Sequence, residues 1–144
     1  MLSDFFQKFK KQPRGVALPE LDAELAMGVL LVRLAKADQH YAVEEIARID
    51  RLFVKHRAMN VVEAAKTRAT CEKLEAEAPD TDTLTQLVTD HLTHDHRMAM
   101  LSALWQVSVA DGVVREEEAC FVAHVAKAIG LSAEEVKRTR PAET

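Results

Sequence analysis

Apolar residues recur along this chain at helical rather than strand spacing. Near the start, Leu2, Phe5, Phe6 and Phe9 fall at i, i+3, i+4 and i+7, with Lys8, Lys10 and Lys11 among them. That pattern predicts a short amphipathic helix over residues 2–11. Gln12-Pro13-Arg14-Gly15 follows, and its Pro and Gly mark a linker. The stretch from Leu21 to Ala37 is apolar almost all round (Leu25, Val29, Leu30, Leu31, Val32, Leu34), which predicts the central, most buried helix. A break at Asp38-Gln39-His40-Tyr41 precedes a third helix with Ile46, Ile49 and Phe53 on one face, ending near Arg57.

Asn60 with Glu63 forms a capping box that opens a fourth helix, whose inward positions are Val62, Ala65, Ala69 and Leu74 and whose end is Pro79. Asp80-Thr81-Asp82-Thr83 supplies cap candidates for a fifth, with Leu84, Leu87 and Val88 facing inward. A sixth helix from His96 to Val109 places Met98, Leu101 and Trp105 on one stripe. After Ala110-Asp111-Gly112, a seventh aligns Val122, Val125, Ala126 and Ile129, and Gly130 is its expected left-handed stop. Ser132 with Glu135 caps a last short helix that dies at Pro141. The expectation is an all-α single domain of seven to eight helices over residues 16–144, with the N-terminal amphipathic helix and linker at 1–15.

Composition narrows the function. A formal net charge of −4 argues against nucleic acid, because phosphate neutralisation needs a basic face. The hydrophobic content of 48% is enough to bury a core, and only four Gly and four Pro punctuate the chain. No apolar run approaches the roughly 20 residues of a membrane span, and the start lacks a signal-peptide core. Cys71 and Cys120 sit in apolar helical patterns without CxxC spacing, so both are expected to be buried, reduced thiols of a cytosolic protein.

The chain also repeats itself. An offset of 73 residues, the separation of Asp38 and Asp111, lays Ala37-Asp38 on Ala110-Asp111 and Glu44-Glu45 on Glu117-Glu118. It also lays Ala26-Met27 on Ala99-Met100 and Leu31 on Leu104. Because acidic positions coincide as well as apolar ones, two pseudo-repeated helical hairpins are expected, residues 25–53 and 98–126.

The segment Leu101–Glu118, with its Ala-Asp-Gly turn and a Glu seven residues after the Asp, resembles the signature of TerB-like, tellurite-resistance-associated proteins. The segment Leu34–Glu45 resembles a first copy of that motif, with Gln39 where the family favours Gly. Asp80 with its threonines and Arg97 fit the family's layout, and the likeness covers about residues 20 to 138. The resemblance implies an all-helical fold and a divalent-metal site, but no established reaction.

The residues themselves allow two readings of the acidic turns. Asp38 and Asp111 lie at helix C-terminal ends, where the macrodipole disfavours negative charge by about 0.3–1 kcal/mol. Glu45 and Glu118 lie in the first turn of the following helix, where it favours them. Each Asp–Glu pair is a candidate oxygen-ligand set for Ca²⁺, Mg²⁺ or Zn²⁺, with Glu44 and Glu117 as secondary candidates. The other reading is structural: loop N–H groups hold the Asp, and each Glu back-caps its helix. A second candidate is His91-Leu-Thr-His94-Asp95-His96, in which His91, His94 and Asp95 would share a helical face as zinc ligands do; the other reading is a solvated or capping role, since the stretch sits at a helix junction. Arg97 is a candidate partner for an acidic turn.

The leading expectation is therefore a non-enzymatic, cytoplasmic helical module of a tellurite, metal or other stress response. It would bind a divalent cation and a protein partner; residues 2–11 are expected to bury Phe5, Phe6 and Phe9 against the rest of the chain, with weak contact to the inner membrane surface as the alternative. The alternatives are a metal-dependent hydrolase using His91–His96 with Asp111, and a purely structural interaction domain.

Overall fold

The computed structural model describes residues 18–37, 41–110, 112 and 115–140. The expected helix over 2–11 and both turn aspartates lie outside the described residues. Seven α-helices and no strand are present among those described. They are α1 (Ala23–Ala35), α2 (Val43–Arg57), α3 (Val61–Ala76), α4 (Thr81–His91), α5 (His94–Ser108), α6 (Glu116–Ala128) and α7 (Ala133–Thr139). None is long and apolar enough to cross a membrane.

Helix α1 is the hub. The Asp22 carboxylate accepts from the Leu25 amide at 2.8 Å and starts it. Its all-round apolar surface then has neighbours on every side, for α2, α3, α4, α5 and α6 all touch it. Ala26, Val29, Leu30, Val32, Leu34 and Ala35 are fully buried. At Gly28 the approach to α3 is so close that a Cβ would clash with Cys71 Sγ. Helix α2 buries Ile49 and Phe53 as expected, together with Leu52, whereas Ile46 is half-buried.

Helix α3 opens on the expected reciprocal cap, with Glu63 N donating to Asn60 Oδ1 at 2.8 Å and Asn60 N to Glu63 Oε1 at 3.0 Å. Its inward face differs from the expected one. Ala64, Thr67, Thr70, Cys71 and Leu74 are buried, whereas Val62 is 61% exposed and Ala65 and Ala69 are half-buried. The threonines are buried because their hydroxyls find partners, Thr70 on Lys66 O at 3.1 Å and Thr67 on Met59 Sδ at 3.5 Å. Arg33 ties α1 to the far end of α3 and the start of α4. It donates to Glu75 Oε2 at 3.1 Å, Pro79 O at 2.7 Å and Thr81 Oγ1 at 3.1 Å.

Helix α5 begins at His94 under a Thr93 cap, two residues ahead of the expected start. Helix α6 ends as Gly130 predicts. Gly130 has φ 81°, its N–H donates to Lys127 O at 3.1 Å, and the Leu131 N–H reaches back to Ala126 O at 3.0 Å. Arg97 adds a further partner there, donating to Ile129 O at 2.7 Å. Its observed bond is thus to the C-terminal end of α6, whose partial negative charge suits a guanidinium.

Candidate functional site

The two acidic turns begin alike. After α1, Lys36 N donates to Val32 O at 3.1 Å and Ala37 N to Leu34 O at 3.0 Å; after α5, Val109 N donates to Trp105 O at 3.0 Å and Ala110 N to Val107 O at 3.2 Å. The second turn continues with Gly112 N on Val109 O at 2.9 Å and a positive φ of 86°, a conformation in which Gly carries no Cβ penalty. Asp38 and Asp111 themselves lie outside the described residues.

Across each turn the glutamates are deep. Glu45 is 2% exposed and Glu118 is 1% exposed, while Glu44 and Glu117 face solvent. Glu45 Oε1 accepts from the Ala42 amide at 3.0 Å, and Glu118 Oε1 accepts from the Arg115 amide at 3.4 Å. Neither Ala42 nor Arg115 caps its helix through a side chain, so the third-position Glu reaches back to do part of that work. A buried carboxylate is costly unless it is bonded, and both the amide and the helix N-terminal dipole lower that cost. The back-capping role is therefore present at both turns.

The histidine cluster does not share one helix. His91 is the last residue of α4, with Nδ1 at 3.1 Å from Leu87 O. Leu92 is extended and Thr93 caps α5, so His94 and Asp95 start a separate helix. The Thr93 cap is the reason, since it ends one helical run and begins another. His94 Nε2 lies 2.5 Å from Glu135 Oε2, whereas the Asp95 side chain is fully exposed. Hydrogen bonding from Ser132, and then from His94, holds the Glu135 carboxyl below its ordinary range. Among the described residues, no three His, Cys, Asp or Glu side chains converge where a metal ion could sit.

One concavity escaped the sequence reading. A groove of about 320 Å³ lies between α1, α2 and α5. Met27 and Leu31 come from α1, Leu52 and Phe53 from α2, and Ala99, Met100 and Ala103 from α5. Leu92 also lines it, and Glu24, His56, Arg57 and His96 are its polar lining, where Arg57 and Glu24 pair. The sequence signal for it is Ala99 and Ala103, one turn apart on a helix that also carries Met98, Met100, Leu101, Leu104 and Trp105. Trp105 and Met100 are core, whereas Met98, expected there with them, is only half-buried against it. Cys71 is buried, and burial pushes its thiol up to about 12. Cys120 departs from expectation: α6 turns it to solvent because Val122, Val125 and Ala126 take the inward face.

Residues 24–141 match the family of the tellurite resistance protein TerB. The chain belongs to that family. The match takes in both acidic turns and every helix from Glu24 of α1 onward. A search of curated proteins found no match, and a search of solved structures found none. Membership in the TerB family thus rests on the sequence pattern, and the helical architecture accords with it.

Proposed function

We propose that this TerB-family chain is a non-enzymatic helical module of a tellurite, metal or other stress response, working in the cytoplasm with a protein partner. In this reading the turns after α1 and α5 each take a divalent cation through Asp38 with Glu45 and Asp111 with Glu118. The observation that carries it is the matched burial of Glu45 and Glu118, each deep at the start of a helix and bonded to the backbone of its own turn. Fully buried carboxylates are rare unless paired, hydrogen-bonded or metal-bound. An all-oxygen donor set favours Ca²⁺ or Mg²⁺ over Zn²⁺. Two carboxylates fall short of six to eight ligands, so carbonyls and water complete each set. A bound cation would supply positive charge that ties the turn to the following helix. The turn containing Gly112 binds better, because its positive φ lets carbonyls point inward.

Calorimetric titration of the full chain with Ca²⁺, Mg²⁺ and Zn²⁺ tests this. The expected result is saturable heat with Ca²⁺ or Mg²⁺ at millimolar concentration or below. No heat with any of the three contradicts the cation reading and leaves the back-caps as the whole role of the glutamates.

A further inference from the structure

The groove between α1, α2 and α5 has a defined length. Its walls run from Glu24 to Leu31 on α1 and from His96 to Ala103 on α5, about 10 Å each at a rise of ~1.5 Å per residue. Ala99 and Ala103, one turn apart on α5, line it with short side chains opposite the larger Met27 and Phe53. The volume is near the lower end of pockets that enclose a ligand, ~300–1,000 Å³. It suits side chains from one face of a helix.

We propose that residues 2–11 of this same chain occupy the groove and lay Phe5, Phe6 and Phe9 on its apolar floor. Wound as a helix, the stripe from Leu2 to Phe9 would extend about 10 Å, the length of the walls. The chain path agrees. Leu18 and Leu21 pack against the core immediately ahead of α1, and the first two turns of α1 form one wall. The intervening residues 12–17 span up to roughly 20 Å when extended, so reach is not limiting. Such a short tether holds the segment at an effective concentration of order millimolar. Charge agrees as well. Lys8, Lys10 and Lys11 lie at the linker end of the stripe, and Glu20 and Asp22 are exposed where the chain returns to α1.

Amide NMR spectra of the full chain, compared with the full-chain variant Phe5→Ser/Phe6→Ser/Phe9→Ser, test the proposal. Docking predicts that the signals of Met27, Phe53, Ala99 and Met100 move and that the melting temperature falls by several degrees. A second full-chain variant, Ala99→Trp, fills the groove from an exposed position. It lowers the melting temperature in the wild-type background and leaves it unchanged or higher in the triple-serine background. Unmoved groove signals in the triple variant overturn the proposal. So do changes that vanish on dilution, which would assign the segment to a second copy. Phosphatidylglycerol vesicles that bind the wild type but not the triple variant, with unmoved groove signals, would assign the segment to a lipid surface and equally overturn it.

Discussion

Gly28 sits where α1 meets α3, with Cys71 Sγ and Phe53 Cζ in the space a methyl would need. Gly28→Ala gains up to about 1 kcal/mol of helix propensity but overpacks a filled site at a cost of about 1–3 kcal/mol. The expected outcome is a net loss, read as a lower urea midpoint. Gly130→Ala is strained for a different reason. Its φ of 81° costs a β-carbon about 1–2 kcal/mol, and that carbon would press on Arg97 Nη1 at 3.4 Å, the group that bonds Ile129 O. The two cysteines should separate cleanly in a thiol-reagent assay. Cys120 is exposed and reacts in the native protein, whereas Cys71, buried with its thiol pushed up to about 12, reacts only on unfolding. Two fast thiols in the native state would contradict this packing.

At the scale of the helices, stability depends on what holds their ends. The Glu118 carboxylate serves the Arg115 amide from a buried position. Glu118→Ala should cost about 1–3 kcal/mol, because the amide loses a partner, and Glu118→Gln, which keeps an acceptor, should cost less; chemical denaturation compares them. Helix α7 has an acid-side dependence. The folded carboxyl of Glu135 is held down by Ser132 and His94, so its contribution is fully present above the ordinary carboxylate range. It is lost as pH falls through the lowered folded value. Helical amide protection in α7 should weaken at acid pH before that of α1. Most of these ends were legible in the sequence, because a cap is written within four residues: Asn60 with Glu63, Ser132 with Glu135, Gly130 alone. Thr93 carries the same kind of signal, and it fixes where the helix junction within His91–His96 falls. The inward face of α3 was misread because its buried positions are Thr67, Thr70 and Cys71 rather than aliphatic residues. The groove was illegible for a deeper reason: its shape depends on which residues of three helices face Ala99 and Ala103, and no local spacing encodes that.

For the molecule as a whole, a central apolar helix is enclosed by its neighbours, and two acidic turns leave the ends of α1 and α5. The duplicated spacing is visible in the sequence, and the turn hydrogen bonds and back-caps recur at the same offset. The role proposed for these turns is to bind a cation as well as to start helices. Asp111→Asn separates the two roles, since it removes a charge while keeping an oxygen that loop amides can use. The decisive measurement is the thermal melting of wild type and Asp111→Asn, each with and without Ca²⁺ or Mg²⁺. Binding to the folded state alone adds about 2.7 kcal/mol at a hundredfold excess over Kd. The wild type should therefore melt several degrees higher with the ion, and the variant should lose most of that gain. Equal melting of the wild type with and without ion, or an equal ion effect on both proteins, would contradict the account.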